Sequence, residues 1–440
     1  MLCFPAPRDY SGKSGLDDWH DSILSSFMAA ANQLTTAFPW LAGRVIDDSG
    51  VFRVVAYEPS SIFPNSIIRF KDCRSIAPPY DEIVSARGPI RLLDGKVLAP
   101  RTAFPESYQE SDEEPAPVLV FQVNLVEGGI LVDCAAQHNI IDMTGIEQCF
   151  VLLATAMRGE AFPLHAIEQG NRDRRSIVPL LRDGKPRLDH SQFKRTVSSE
   201  RPDPTVLGQG SGYFWRYYRF SRSQLAQLKE QAQEGFGGLP PDSQVPYIST
   251  NDALSAFCWK RIGTVRLRRG GATTATTKFC RAVNARPAMG VPREYMGDLV
   301  IIATSRFALG ELAQAPLAVV TAALRKDLQV SNNEYYIRSF ATLIANEPDR
   351  SIISYGGNFN PETDIGSSSW ADVQLYRVEF GPLGKPALVR RPNFAPLKSD
   401  IYFMPRTEAG DIDALLCMTE EDFVGLDKDP EWKLYSQYIG

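Results

Sequence analysis

The stretch VLVFQVNLV-EGG-ILVDCAAQ-HNIIDMTG, residues 118–145, decides how this chain is read. Val118 to Val126 is an almost unbroken apolar run, Glu127-Gly128-Gly129 signals a turn, and Ile130 to Gln137 returns. Two such runs around a Gly pair form a β-hairpin. On the return strand Ile130, Val132, Cys134 and Ala136 share one face by the period of two, and His138 falls on that face at the strand's end. Beyond Asp142 the period becomes helical, with Ile146, Cys149, Phe150 and Leu153 on one side. His138 and Asp142 therefore bracket a short loop between a buried strand and a helix.

Upstream, Leu24, Phe27, Met28, Leu34 and Phe38 predict a helix from Asp21 to about Ala37, leaving through Pro39-Trp-Leu-Ala-Gly-Arg-Val45 into a strand. Strands are expected at 51–57 and 66–70. Asp72 to Ser111 reads as loop, and the acidic Glu110–Glu114 as a solvated part of it. A polar, Pro-containing tract from Gly170 to Gly212 separates two halves. The expected division is a first domain at 1–185, a linker at 186–212 and a second domain at 213–440. The second half opens with a strand at Tyr213–Phe220 and a helix from Ser221 to about Glu234. A further helix follows Thr250, with Leu254, Phe257 and Cys258 on one face. Strands are expected at 278–283, 299–307, 373–380, 400–404 and 413–418, one long helix over Ala313–Leu328, and an exposed serine loop at Ser367-Ser368-Ser369-Trp370. Hairpins mixed with helices make the fold class α+β rather than a doubly wound parallel sheet.

The 440 residues carry 47 basic and 52 acidic side chains, a net charge of −5, without a basic block. Nucleic acid and anionic membrane are thus not expected partners. No apolar run is long enough to span a bilayer and no signal peptide opens the chain. The seven cysteines are odd in number and lack C-x-x-C spacing, which points to a reducing compartment. The expectation is a cytoplasmic monomer acting on small molecules.

Several chemistries fail on spacing. Gly12-Lys13-Ser14 mimics the end of a P-loop, but Pro7 stands where its first glycine belongs, and Gly208-Gln-Gly-Ser-Gly212 lacks a strand-to-helix setting. No G-x-S-x-G occurs, and the four histidines His20, His138, His165 and His190 have no ligand spacing, so no metal is expected. What remains is H-x-x-x-D at His138–Asp142. An imidazole of ordinary pKa, about 6.5, can take a proton from a hydroxyl at neutral pH, and such general-base help is typically worth about 10²–10⁴ in rate. On pattern alone, a core-edge histidine followed by an ordinary helix N-cap fits equally well.

Further segments appear in a telling order. They are Pro39-Trp-Leu-Ala-Gly-Arg44, His138–Gly145, Asn171–Arg175 with Pro179–Leu181, Ser249-Thr-Asn-Asp-Ala-Leu-Ser-Ala-Phe-Cys-Trp259, Val283-Asn-Ala-Arg286 with Tyr295-Met-Gly-Asp298, and Glu379–Pro386. As an ordered set over about residues 20–405, they resemble the BAHD acyltransferases, in particular the fungal trichothecene 3-O-acetyltransferase-like branch. The resemblance implies two domains of the chloramphenicol-acetyltransferase type, each a mixed sheet flanked by helices, with the active-site channel between them. It implies acyl transfer, most simply acetyl, from acyl-CoA as co-substrate to a hydroxylated small-molecule acceptor, a fungal secondary metabolite. No permanently bound cofactor is implied. His138 would be the general base in a direct, ternary-complex attack. Asp142 would form a salt bridge with Arg286 and hold the loop, while Ser249, Thr250, Lys260 and Asn284 would face CoA.

The chain departs from the pattern in Glu379 for Asp, Pro382-Leu383 for Trp, Met143 for Gly and Asp298 for Asn. Two rivals remain: a condensation or cyclisation catalyst on the same scaffold, against which Gln137 counts, and a non-catalytic relic that binds a metabolite.

Overall fold

A computed structural model describes residues 1–7, 13–48, 50–56, 67–103, 116–195, 212–243, 245–354 and 356–440. Gly12, the acidic run at 110–114, Pro202–Pro204 and Gly208–Gly210 lie outside these residues.

The hairpin forms as read and sits inside the first sheet. Leu119–Val126 and Gly129–Ala136 pair antiparallel, Val126 opposite Gly129 and Leu119 opposite Ala136. The turn is two residues, and Gly128 occupies a left-handed conformation, φ 77°, that favours glycine. The sheet runs in the order Leu388–Val389, Leu2–Pro5, Gly129–Ala136, Leu119–Val126, Ile68–Asp72. Every residue of Leu119–Val126 is buried, since both faces of the strand are covered. Phe121, Val123 and Val132 face a core shared with Ile23, Phe27 and Leu34 of the helix Lys13–Ala37 and Phe150 and Leu153 of the helix Met143–Met157. Val126 and Leu131 face a smaller core with Tyr80, Ile83, Leu93 and Leu98.

That smaller core corrects the loop expected at Asp72–Ser111. Short helices at Tyr80–Ser85 and Gly95–Leu98 cover the back of the hairpin. They also bind its polar side chains, since Asn124 Nδ2 donates to the Leu98 carbonyl at 2.9 Å. Helices of one or two turns are too short to leave a periodic signal.

Among the described residues the second sheet has seven strands, in the order Gln437–Tyr438, Tyr213–Phe220, Ile412–Thr419, Asp400–Phe403, Ile365–Ser369, Thr276–Asn284, Val300–Ala308. Ile365–Ser369 pairs parallel with both neighbours; the other pairs are antiparallel. The expected serine loop is therefore a central strand. Its small side chains hide it from any test of alternating hydrophobicity. One face of this sheet, with Tyr218, Phe220, Ile401, Phe403, Leu416 and Met418, packs under helices that include Arg222–Glu234 and Thr250–Arg268. On the other, Trp215, Tyr217, Tyr402, Leu415 and Cys417 merge with the core of the first half. The two halves thus share a continuous apolar seam.

Two expectations at the element level fail for identifiable reasons. The strand expected at 373–380 is a 3₁₀ turn, Leu375–Arg377. Its alternating apolar residues serve packing without a ladder, as Phe380 lies edge-on to Phe4 at 5.1 Å. From there the chain stays with the first half, and Leu388–Val389 pairs with Leu2 and Cys3, so residues beyond 213 complete the first sheet. The single helix expected over Ala313–Leu328 is two, Leu309–Gln314 and Leu317–Ser331, parted at Pro316. Proline drives the preceding residue into extended backbone, and Ala315 has ψ 139°.

The described part of the tract between the halves, residues 170–195, forms a crossover fastened by the helix Glu334–Asn346, which the sequence reading missed. Thr342 Oγ1 accepts from Leu181 N at 2.8 Å, and Ser339 Oγ accepts from Leu188 N at 2.9 Å. His190, 1% exposed, contacts Ser339 Oγ through Nε2 at 3.0 Å and sits among Phe193, Tyr336 and Phe340. Burial holds its pKa below the ordinary value. The folded protein therefore resists the proton that the unfolded chain binds below about pH 6.5. Stability is full above that pH and declines as pH falls toward the depressed folded value. The melting temperature, followed from pH 7 to 5.5, is expected to fall less steeply in His190→Phe than in the parent. Parallel curves would remove His190 from this role.

Candidate active site

The H-x-x-x-D loop is a tight turn. Gln137 N donates to the Val118 carbonyl at 2.9 Å, and Ile140 N and Ile141 N both donate to the Gln137 carbonyl at 2.9 Å. Asp142 then caps the helix Met143–Met157, accepting from Gly145 N at 2.9 Å on Oδ1. Its carboxylate also takes both Arg286 Nη atoms, at 2.7 and 2.9 Å, and Leu299 N at 2.9 Å. Four donors fill the acceptor capacity of a carboxylate. Asp142, 2% exposed, has no lone pair left with which to orient an imidazole. The sequence-predicted pair with Arg286 is present, and it is buried and bidentate.

Arg286, 1% exposed, is itself held by the carbonyls of Tyr295 at 3.0 Å and Gly297 at 2.6 Å. The loop and the segment 295–299 interlock further. Asp298 N donates to the Ile140 carbonyl at 2.9 Å, and Arg174, stacked over Trp40 at 4.5 Å, donates to the same carbonyl. Gly145 is needed here, because a Cβ would lie 2.2 Å from the Met296 carbonyl oxygen. Glu147, on the same helix, accepts from Arg293 and from Gln374 N. Side chains from both halves thus immobilise the turn that carries His138.

His138 stands at this seam with its side chain 62% exposed, its Nδ1 3.6 Å from Asp298 Oδ2. The Asp298 contact raises the imidazole pKa above its ordinary value; partial desolvation opposes the rise, and Asp142 contributes least. Asp298 is the neighbour that the list of expected site residues missed. Its signal was visible as an Asp where the resemblance expects Asn.

The expected CoA-facing residues do not gather here as a group. Asn284 joins the arginine, its Oδ1 accepting from Arg286 N at 3.0 Å and Nη1 at 3.1 Å. Ser249 forms a capping box with Asp252 at the start of the helix Thr250–Arg268, and Thr250 is that helix's half-exposed first residue. Lys260 donates to the Ala313 carbonyl at 2.6 Å, near the C-terminus of the helix Leu309–Gln314. Helix C-termini attract cations, and burial lowers the Lys260 pKa. Asn284 and Lys260 are thus engaged within the protein. In the altered segment, Phe380 and Leu383 are buried, and Gly381, φ 54°, abuts the Met157 carbonyl. Leu383 fills core there, whereas Pro382 is exposed.

Among the described residues there is no cluster of metal-ligating side chains, and no helix is long and apolar enough to cross a membrane.

Known proteins share this architecture. Residues 2–157 match the trichothecene 3-O-acetyltransferase-like N-terminal domain, and residues 98–433 match the Transferase family. The chain is 48% identical to the O-acyltransferase pigD of Monascus ruber over 96% of its own length and 92% of that protein's. To the trichothecene 3-O-acetyltransferase of Fusarium sporotrichioides it is 33% identical, covering 96% and 91%. The crystal structure of F. graminearum TRI101 with Coenzyme A and deoxynivalenol superposes with a TM-score of 0.88 at 32% identity, covering 100% of this chain and 95% of that one. Vinorine synthase, 17% identical with a TM-score of 0.64 over 96% and 87% of the two chains, shares the fold. With its two mixed-sheet halves and its H-x-x-x-D turn locked by Arg286, the chain belongs to the Transferase family of BAHD acyltransferases, in the trichothecene 3-O-acetyltransferase-like branch.

Proposed function

We propose that this enzyme transfers an acyl group, most simply acetyl, from acyl-CoA to a hydroxyl of a fungal secondary metabolite, with His138 as general base. The observation that carries the reading is an exposed imidazole on a turn immobilised from both halves. With a proton kept on Nδ1, His138 presents the Nε2 lone pair to the acceptor O–H. The hydroxyl oxygen attacks the thioester carbonyl as Nε2 takes its proton. The tetrahedral oxyanion collapses, the C–S bond breaks, and the imidazolium returns the proton to the departing thiolate of CoA. Direct attack is favoured over an acyl-enzyme because the nearby cysteines are poor nucleophiles. Burial pushes the Cys149 thiol up to about 12 and the Cys134 thiol well above its ordinary value.

Ser249 and Thr250, at the capped start of the helix Thr250–Arg268, are the proposed contacts for the CoA phosphates. The even, mildly acidic charge suits a cytoplasmic monomer. The test is free-thiol release from acetyl-CoA with a panel of hydroxylated terpenoids and polyketides, deoxynivalenol included. Acceptor-dependent release is expected, together with calorimetric binding of CoA. Failure to bind CoA would overturn the transferase reading and favour a metabolite-binding relic.

A further inference from the structure

The Tyr295-Met-Gly-Asp298 turn offers more than a brace for Arg286. Its last residue places a carboxylate beside the imidazole and fixes it there through the backbone. Asp298 N donates to the Ile140 carbonyl at 2.9 Å, within the H-x-x-x-D turn itself. The next amide, Leu299 N, goes to Asp142. One short segment therefore holds two carboxylates at fixed positions: Asp142, saturated by four donors, and Asp298, with Oδ2 3.6 Å from His138 Nδ1. The other oxygen of Asp298, Oδ1, is enclosed and has no hydrogen-bond partner among the described residues. An enclosed, unpartnered acceptor is costly in a folded protein. It persists more readily where a positive charge develops beside it.

Resting on the general-base reading above, we propose that Asp298 is the positioning residue of the base. It accepts the Nδ1–H of His138, keeps the Nε2 lone pair toward the acceptor hydroxyl, and stabilises the imidazolium that forms during transfer.

The surrounding charges agree with that division of labour. Asp142 faces the turn from the helix but is matched by the buried Arg286. Arg174 reaches the Ile140 carbonyl from the crossover, and Asp298 is among the charges acting on it. Asp298 is thus the acid whose charge acts most on the imidazole, and the largest cause of its raised pKa. An asparagine here would still accept a hydrogen bond through Oδ1 while adding no charge. The charge of the carboxylate, beyond its shape, is therefore what the role requires.

The test separates charge from shape. With only four histidines in the chain, the imidazole resonances can be titrated individually by NMR, His138→Ala identifying the one in question. In Asp298→Asn the His138 pKa is expected to fall by about one unit, the lower end of the shift an opposite charge at this range produces. The acid limb of kcat/KM, which reports the free enzyme's base, should move to lower pH by the same amount. Above that limb the rate should drop roughly three- to tenfold, because a weaker base drives the transfer less. Asp298→Ala should lose more, since the tautomer is then no longer held. Melting temperatures close to the parent's are expected for Asp298→Asn. A His138 titration unmoved in both variants would overturn the proposal. If the resonance moves but His138→Ala retains full activity, the dyad stands and the general-base reading fails.

Discussion

His138→Ala is expected to lower kcat/KM for acyl transfer by about 10²–10⁴, the range that general-base assistance supplies, and to leave the melting temperature nearly unchanged. The two halves of that expectation come from the same geometry. The side chain is 62% exposed, so its removal opens no cavity and uncovers little apolar surface. The turn keeps its shape without it, because the turn's fixed points are the backbone bonds to Gln137 and Ile140 and the carboxylate of Asp142. Asp298, 3.6 Å from Nδ1, loses this contact but retains its backbone tie to Ile140. Residual activity should survive through binding and orientation of the two substrates, which are independent of the base. It should also lose the acid limb in the pH profile, since the base whose deprotonation that limb would report is gone. Thiol release from acetyl-CoA measured from pH 5.5 to 8.5 in parent and variant reads both effects. Equal rates would remove His138 from the chemistry; a collapsed melting temperature would make it a structural residue.

How much of this was readable beforehand follows from the range of the interactions involved. The hairpin, the switch to a helix after Asp142 and the position of His138 just past the strand's end are set by neighbours in sequence, and periodicity recovers them. Asp142 and Arg286 lie 144 positions apart, and no local pattern joins them; the family resemblance did. The return of residues 373–389 to the first half was invisible because alternating apolar residues look the same whether they pair or only pack. Ile365–Ser369 was lost for the opposite reason, since three serines make no apolar pattern even in a central strand. Lys260 shows the limit of carrying residues over by position. A lysine on the expected helix looked available for phosphate until the carbonyls at the end of the neighbouring helix were seen to hold it. Asp298 lies between these cases. Its identity was plain, but its meaning required the distance to Nδ1.

The largest loss of stability is expected from Arg286→Ala. Truncation leaves the Asp142 carboxylate buried and short of two of its four donors, and removing one partner of such a pair typically costs about 3–5 kcal/mol. The cost should exceed that of losing packing alone, because the carbonyls of Tyr295 and Gly297 also lose their donor, while Asn284 Oδ1 keeps only the backbone N of residue 286. Activity should fall as well, by about 10²-fold, since a turn displaced by an ångström misplaces the base. Asp142→Asn tests the same clasp from the other side. Its amide keeps one acceptor for Gly145 N but turns a donor toward Arg286 or Leu299, so stability and rate should fall together. The two losses should not add. With Arg286 gone, a neutral residue at 142 is easier to bury than a carboxylate, and the double variant should be more stable than Arg286→Ala alone. Thermal and denaturant unfolding of the four proteins in a double-mutant cycle measures that coupling. Additive losses would mean that the pair is not the clasp between the halves. An Asp142→Asn protein that melts like the parent yet is inactive would assign Asp142 to the chemistry, against a geometry in which all four of its acceptor positions face away from proton transfer.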